Sequence, residues 1–159
     1  MKKQSAFTLI ELMVTIAILA IIAVIATPSL SQMLHNTKVN TSSGDVLNFI
    51  QQARTESIRL GKNVSICGSI DGTTCTTTNK TNWSSGLVAK VAGTTAPIQK
   101  LAFDNTLLSI TAPNVIEFNP VGSTTDEHEI MLTIAGATTY FVCIDVIGRA
   151  FRNKTGCSS

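Results

Sequence analysis

The sequence predicts an α+β fold: one long N-terminal helix packed on an antiparallel β-sheet and stabilised by disulfides. Three observations carry this. Apolar residues fill an almost unbroken run over 7–26 and then recur every three to four residues up to Leu60. After Gly61 the pattern changes to short β-prone segments separated by turn residues. Four cysteines fall in two close pairs, all beyond the apolar run. A helix followed by a succession of strands marks α+β rather than repeated βαβ units. A chain of 159 residues has room for one domain and an appendage.

Residues 1–6, MKKQSA, form a short basic leader, and the twenty residues of 7–26 carry one charge, Glu11. A helix of that length, at about 1.5 Å per residue, spans the roughly 30 Å bilayer core. A secretory signal peptide is the competing reading. Its apolar region runs to about 7–15 residues without acids, whereas this one is longer and holds a carboxylate. Such a carboxylate costs about 2.5–3.5 kcal/mol at a span centre, which points to a partner for Glu11. Pro28 is expected to break or kink the helix, since it lacks an N–H and clashes with the preceding turn. Helical spacing resumes through Leu30, Met33, Leu34, Val46, Leu47, Ile50, Ala53 and Ile58, with Gly61 as the stop. Residues 35–44 are polar and weakly periodic, so fraying is expected there. Arg54, Glu56 and Arg59 read as a solvated face.

Strands are expected at 64–70, 87–91, 98–103, 107–110, 115–118, 129–135, 138–144 and 149–152, with Gly136-Ala137 turning one hairpin. Polar loops at 71–85 and 119–128 interrupt them. The four cysteines allow three connectivities. Cys67 with Cys75 and Cys143 with Cys157 is preferred, because each pair flanks a turn-rich stretch. Loops this short add about 2–3 kcal/mol each in the chain-entropy model, and their presence places the domain in an oxidising compartment.

Charge and composition narrow the function. With Lys2 and Lys3 set aside, ten Lys and Arg balance ten Asp and Glu, which excludes a globally basic nucleic-acid binder. No GxSxG, P-loop, GxGxxG or CxxC occurs, and the two histidines, His35 and His128, lie far from the cysteines, so neither an enzyme, a cofactor nor a metal centre is expected. Asp126-Glu127-His128-Glu129 reads as a solvated turn, and Trp83 as a core or loop anchor. The one candidate binding site is C-terminal. Arg149, Arg152 and Lys154 place three cations in a segment that no acid follows after Asp145, and Phe151 between them could stack on a base. In an extended strand, positions three apart face opposite sides, so both arginines meet one duplex only if the segment turns or bulges.

The segment AFTLIELMVTIAILAIIAVIATPSL resembles the N-terminus of type IV pilins and type II secretion pseudopilins. Further along, Ala53-Arg54-Thr55-Glu56-Ser57-Ile58, Val64-Ser65-Ile66-Cys67, Asp71-Gly72 before Cys75, Trp83-Ser84-Ser85-Gly86, Phe118 near Gly122, and Gly148-Arg149 before Cys157 are similar in order and spacing to FimT/GspH-type minor pilins. The resemblance implies a pilin-like fold and a low-copy subunit of a type IV pilus or secretion pseudopilus. It implies a leader, 1–6, removed by a prepilin peptidase between Ala6 and Phe7, with methylation of the new Phe7 amine. Ala6 stands where the family usually has Gly. Residues 7–27 would be the inner-membrane and filament-core helix, and 28–159 a periplasmic or extracellular pilin domain. Glu11 would pair with a neighbouring subunit's amine, making other pilins of the filament its partners. In DNA-uptake members a C-terminal Gly-Arg-x-Arg motif contacts DNA. Here Gly148-Arg149-Ala150-Phe151-Arg152 is one residue longer, and the implied partner is DNA bound weakly without sequence preference.

Overall fold

The computed structural model describes residues 8–104 and 106–157, with the side chains of 24–28 left aside. The leader, Ala6 and Phe7 lie outside the described residues. Helix α1 spans Leu9–Leu60. Eight strands follow: β1 Val64–Gly68, β2 Gly86–Val91, β3 Gln99–Ala102, β4 Ser109–Thr111, β5 Ile116–Phe118, β6 His128–Thr133, β7 Tyr140–Ile144 and β8 Ala150–Asn153. Each expected strand is present, trimmed or shifted by a few residues.

The chain divides into two compact units, 1–34 and 35–159. In the first, helix α1 presents Leu9, Ile10, Leu12, Met13, Ile16, Leu19 and Ile21 to the outside, each more than half exposed. Among the described residues no helix is long and apolar enough to cross a membrane. The expected span, 7–27, starts at a residue outside the description and ends among side chains that are set aside. The backbone stays helical across Pro28, as the single long helix requires; of the two effects expected of the proline the break is absent, since it removes only one N–H from the ladder.

In the second unit the expected fraying of 35–44 is also absent. Val39 and Ser43 are fully buried, and Ser43 Oγ donates to the Asn40 carbonyl at 2.8 Å, so a polar stretch is held in the helix by its own satisfied hydroxyl. Val46, Phe49, Ile50 and Ala53 continue the buried stripe at helical spacing. The helix ends in a paired cap: Lys62 N donates to the Ser57 carbonyl and Gly61 N to that of Ile58, with Gly61 at φ 60°, a left-handed conformation that glycine adopts without penalty.

The strands form two antiparallel sheets of four rather than the one sheet expected, in orders β3-β2-β1-β5 and β4-β6-β7-β8. β1 pairs with both β2 and the distant β5, matching Ile66 with Ala89 and with Ile116. Alternation is cleanest in β6, where Ile130 and Leu132 are buried between partly open neighbours. Helix residues Val46 and Ile50 join Ile66, Leu87, Phe118, Ile130, Leu132 and Val142 in one core. Each such side chain stabilises the fold by about 1.5–3 kcal/mol on burial. Trp83 is fully buried and its indole N–H donates to the Lys80 carbonyl at 3.1 Å.

Both disulfides have the expected partners, Cys67–Cys75 and Cys143–Cys157. Inside the first loop Asp71 accepts the backbone N–H of Thr74 and Thr73 and the Thr74 hydroxyl, which holds its carboxyl far below the usual carboxylate range.

Candidate functional site

At the N-terminal end, Thr8 and Glu11 form a capping box. The Thr8 backbone N–H donates to Glu11 Oε2 at 2.9 Å, its hydroxyl to the same oxygen at 2.8 Å, and Glu11 N–H donates back to Thr8 Oγ1 at 3.3 Å. The T-x-x-E spacing of residues 8–11 signals this arrangement, and reading Glu11 only as an intermolecular partner overlooks it. Within one chain, Glu11 thus closes the first turn of α1 while its exposed neighbours remain uncovered.

The C-terminal cations do not form one cluster. β8 pairs with β7 in unbroken register, Val142 opposite Arg152 and Cys143 opposite Phe151, with no bulge. Residues directly opposite share a face. Arg152 therefore lies on the face of buried Val142, and Phe151 lies on the other with Cys143. Arg152 Nη1 lies 3.0 Å from the Asn40 carbonyl, 3.1 Å from Asn40 Oδ1 and 3.1 Å from Ser43 Oγ, tying β8 to α1. Its guanidinium is 5.9 Å from the Tyr140 ring centroid, and the Lys154 ammonium is 5.4 Å from the same ring.

Arg149 is engaged elsewhere. Its Nε donates to Asp145 Oδ2 at 3.1 Å, its backbone N–H to Asp145 Oδ1 at 2.7 Å, and its guanidinium sits 5.5 Å from the Phe151 ring. Among the described residues the ion pairs are Arg149–Asp145 and the exposed Arg59–Glu56, so Arg152 and Lys154 face no carboxylate. Two candidate cations thus share Tyr140, and the third is partly neutralised on another face.

Arg54, expected on a solvated face, is instead half-buried. Its Nε donates to the Gly122 carbonyl at 2.8 Å and its Nη2 to that of Ile147 at 3.0 Å, pinning two loops to the helix. Sequence offers little signal for this, since both acceptors are backbone carbonyls, 68 and 93 residues away. His128 is partly buried at the start of β6. Burial lowers its pKa, and the nearby Asp126 carboxylate opposes that shift. Among the described residues no group of three His, Cys, Asp or Glu could hold a metal ion.

Comparison with known proteins adds a family. Residues 1–27 match the prokaryotic N-terminal methylation motif, and 43–148 match the family described as type II transport protein GspH. No curated protein matches the chain. Two crystal structures of the type IV minor pilin FimU from Pseudomonas aeruginosa PAO1 are similar in fold. The P21 form is 18% identical with a TM-score of 0.63, covering 80% of this chain and 98% of that one. The P65 form is 20% identical with a TM-score of 0.58, covering 76% and 98%.

Proposed function

This chain belongs to the family of type II transport protein GspH, and from that membership we propose that it works as a minor pilin, a low-copy structural subunit of a type IV pilus or of a type II secretion pseudopilus. The observation that carries the reading is the succession, on one chain, of the N-terminal methylation motif and the GspH region. A prepilin peptidase would cut between Ala6 and Phe7 and methylate Phe7, and residues 7–27 would anchor the chain in the inner membrane before assembly. The uncovered apolar side chains from Leu9 to Ile22 support this, because such a surface needs lipid or neighbouring helices around it. On assembly the Glu11 carboxylate would exchange its Thr8 contacts for the amine of a neighbouring subunit's first residue. Deletion of the gene separates the two systems: loss of piliation marks a pilus subunit, and retention of exported enzymes in the periplasm marks a pseudopilin.

A second reading, DNA capture during uptake, is favoured by Arg152 and Lys154 beside Tyr140, neither of them in an ion pair among the described residues. Arg149 and Phe151 would contribute only from the other face, so two phosphates at a time is the working number. Binding should be weak and sequence-independent, with a log–log salt slope of about −2 on duplex DNA. Several copies on one filament would add avidity. Titrating short duplex into the detergent-solubilised chain and into Lys154→Gln tests it. Equal binding by both, or none by wild type at low salt, refutes the DNA reading and leaves the structural one standing.

A further inference from the structure

The loops after β5 and β7 close over α1 around one fixed cation. Gly122 and Gly148 both have φ 78°, and a Cβ on either would come within 3.1 or 2.9 Å of Arg54 Nε, so only glycine lets the two loops approach this closely. Of the five guanidinium N–H groups, the bonds to Gly122 and Ile147 take two, and the rest have a cavity of about 310 Å³ beside them, lined by Gln51, Arg54, Thr55, Ile58, Arg149 and Ala150. No carboxylate lies within ion-pair distance of Arg54 among the described residues. Among the described residues the remaining N–H donors thus have no counter-ion beside them and are open to a carboxylate that enters the cavity.

The surroundings say what kind of counter-ion. Ile58 is 51% exposed, Val121 73% and Ile147 62%, all three next to the Arg54 guanidinium or the loops that it holds. An arginine with Ile58 and Ala150 beside it in the cavity, and with exposed aliphatic residues on the two loops that it holds, has the makings of a protein–protein contact, in which apolar neighbours exclude water from a charged centre. A phosphodiester backbone could use the two arginines of the cavity, Arg54 and Arg149, but would leave Ile58 and the exposed Val121 and Ile147 of the loops without an apolar partner. We propose that the cavity at Arg54 docks an acidic side chain, flanked by apolar residues, from a neighbouring subunit of the filament. The inference rests on the filament-subunit reading and adds to it a surface and the chemistry of the partner. The surface is distinct from the apolar N-terminal helix, which supplies hydrophobic attachment without selecting among subunits. A charged contact of this kind selects partners by penalising like charge.

The test uses the full-length chain expressed in its own cells and measures its amount in sheared filaments relative to the membrane pool. Val121→Glu sets a second carboxylate against the incoming one, and about a tenfold or greater fall in incorporation is expected. Val121→Lys, with the complementary sign, should stay within about twofold of wild type, as should Ile70→Glu, a 77%-exposed control that lies on neither of the two loops held by Arg54. Ile147→Glu repeats the test from the other loop, should Val121→Glu fail to accumulate. Normal incorporation of both Glu variants overturns the proposal, and so does an equal fall for Val121→Glu and Val121→Lys. If Val121→Glu weakens binding of short duplex DNA by the detergent-solubilised chain yet enters filaments normally, the cavity serves DNA and the proposal is wrong. Absence of the wild-type chain from filaments would instead fail the subunit reading itself.

Discussion

Replacing Arg152 by Gln should destabilise the second unit more than replacing Arg149 by Gln, although Arg149 has the formal ion pair. Arg152 Nη1 carries two N–H groups and has three acceptors within 3.1 Å, the Asn40 carbonyl, Asn40 Oδ1 and Ser43 Oγ. Two bonds can be made at once, each worth about 1 kcal/mol net, so Arg152→Gln should cost roughly 2 kcal/mol. Buried Ser43 keeps its own bond to the Asn40 carbonyl, which caps the loss. The Arg149–Asp145 pair is solvent-exposed on the arginine side, with 70% of its side chain open, and such pairs contribute about 0.2–1 kcal/mol. The backbone bond from Arg149 N–H to Asp145 survives the change of side chain. At about 2–4 °C per kcal/mol for a chain of this size, Arg152→Gln should lower Tm by about 4–8 °C and Arg149→Gln by no more than about 4 °C. Thermal unfolding of the full chain in detergent micelles, followed by circular dichroism, measures both. A double-mutant cycle of Arg152→Gln with Ser43→Ala should show coupling near 1 kcal/mol. Equal losses for the two arginines, or no coupling, would refute the view that Arg152 is a strand-to-helix tie.

The remaining predictions concern other links. Glu11→Ala should leave the chain in the membrane yet depress its appearance in sheared filaments, because both the helix cap and the inter-subunit charge are lost; normal amounts in filaments would contradict this. Replacing Cys143 and Cys157 together by Ser should cost about 3 kcal/mol in unfolding by denaturant, and a loss below about 1 kcal/mol would show that the C-terminal loop is held by its hydrogen bonds alone. His128 binds a proton less readily in the folded than in the unfolded chain, so stability should fall as pH drops through the ordinary imidazole value of about 6.5 and level off once the folded form is also protonated. His128→Gln should flatten that part of the Tm profile, and an unchanged profile would assign the acid sensitivity to another group.

Periodicity made the elements legible. The three-to-four spacing of Val46, Ile50 and Ala53 and the β-prone runs around Ile66, Val88 and Val142 reflect burial that each element imposes on its own residues. The disulfide pairing was equally local, because each pair closes a short loop. What escaped was long-range or masked by polarity. Residues 35–44 read as a fraying stretch because Ser42 and Ser43 are hydrophilic, yet both are small and buried, and Ser43 is satisfied within the helix and by Arg152. The division into two sheets escaped as well, since no local pattern encodes the pairing of β1 with the distant β5. At the candidate site, opposite facing of the two arginines followed from strand alternation, but the engagement of Arg152 with the helix and of Arg54 with two loop carbonyls did not. Those contacts join backbone and side chains whose sequence neighbours carry no mark of them.

The central claim, that this GspH-family chain is processed and assembled as a low-copy pilin, is tested most directly by mass spectrometry of purified sheared filaments. The account predicts the chain at substoichiometric abundance beside a major subunit, beginning at Phe7 with a methylated amine and with both disulfides intact. A chain that begins at Thr27, or one found only outside filaments in cells that assemble them, would contradict it.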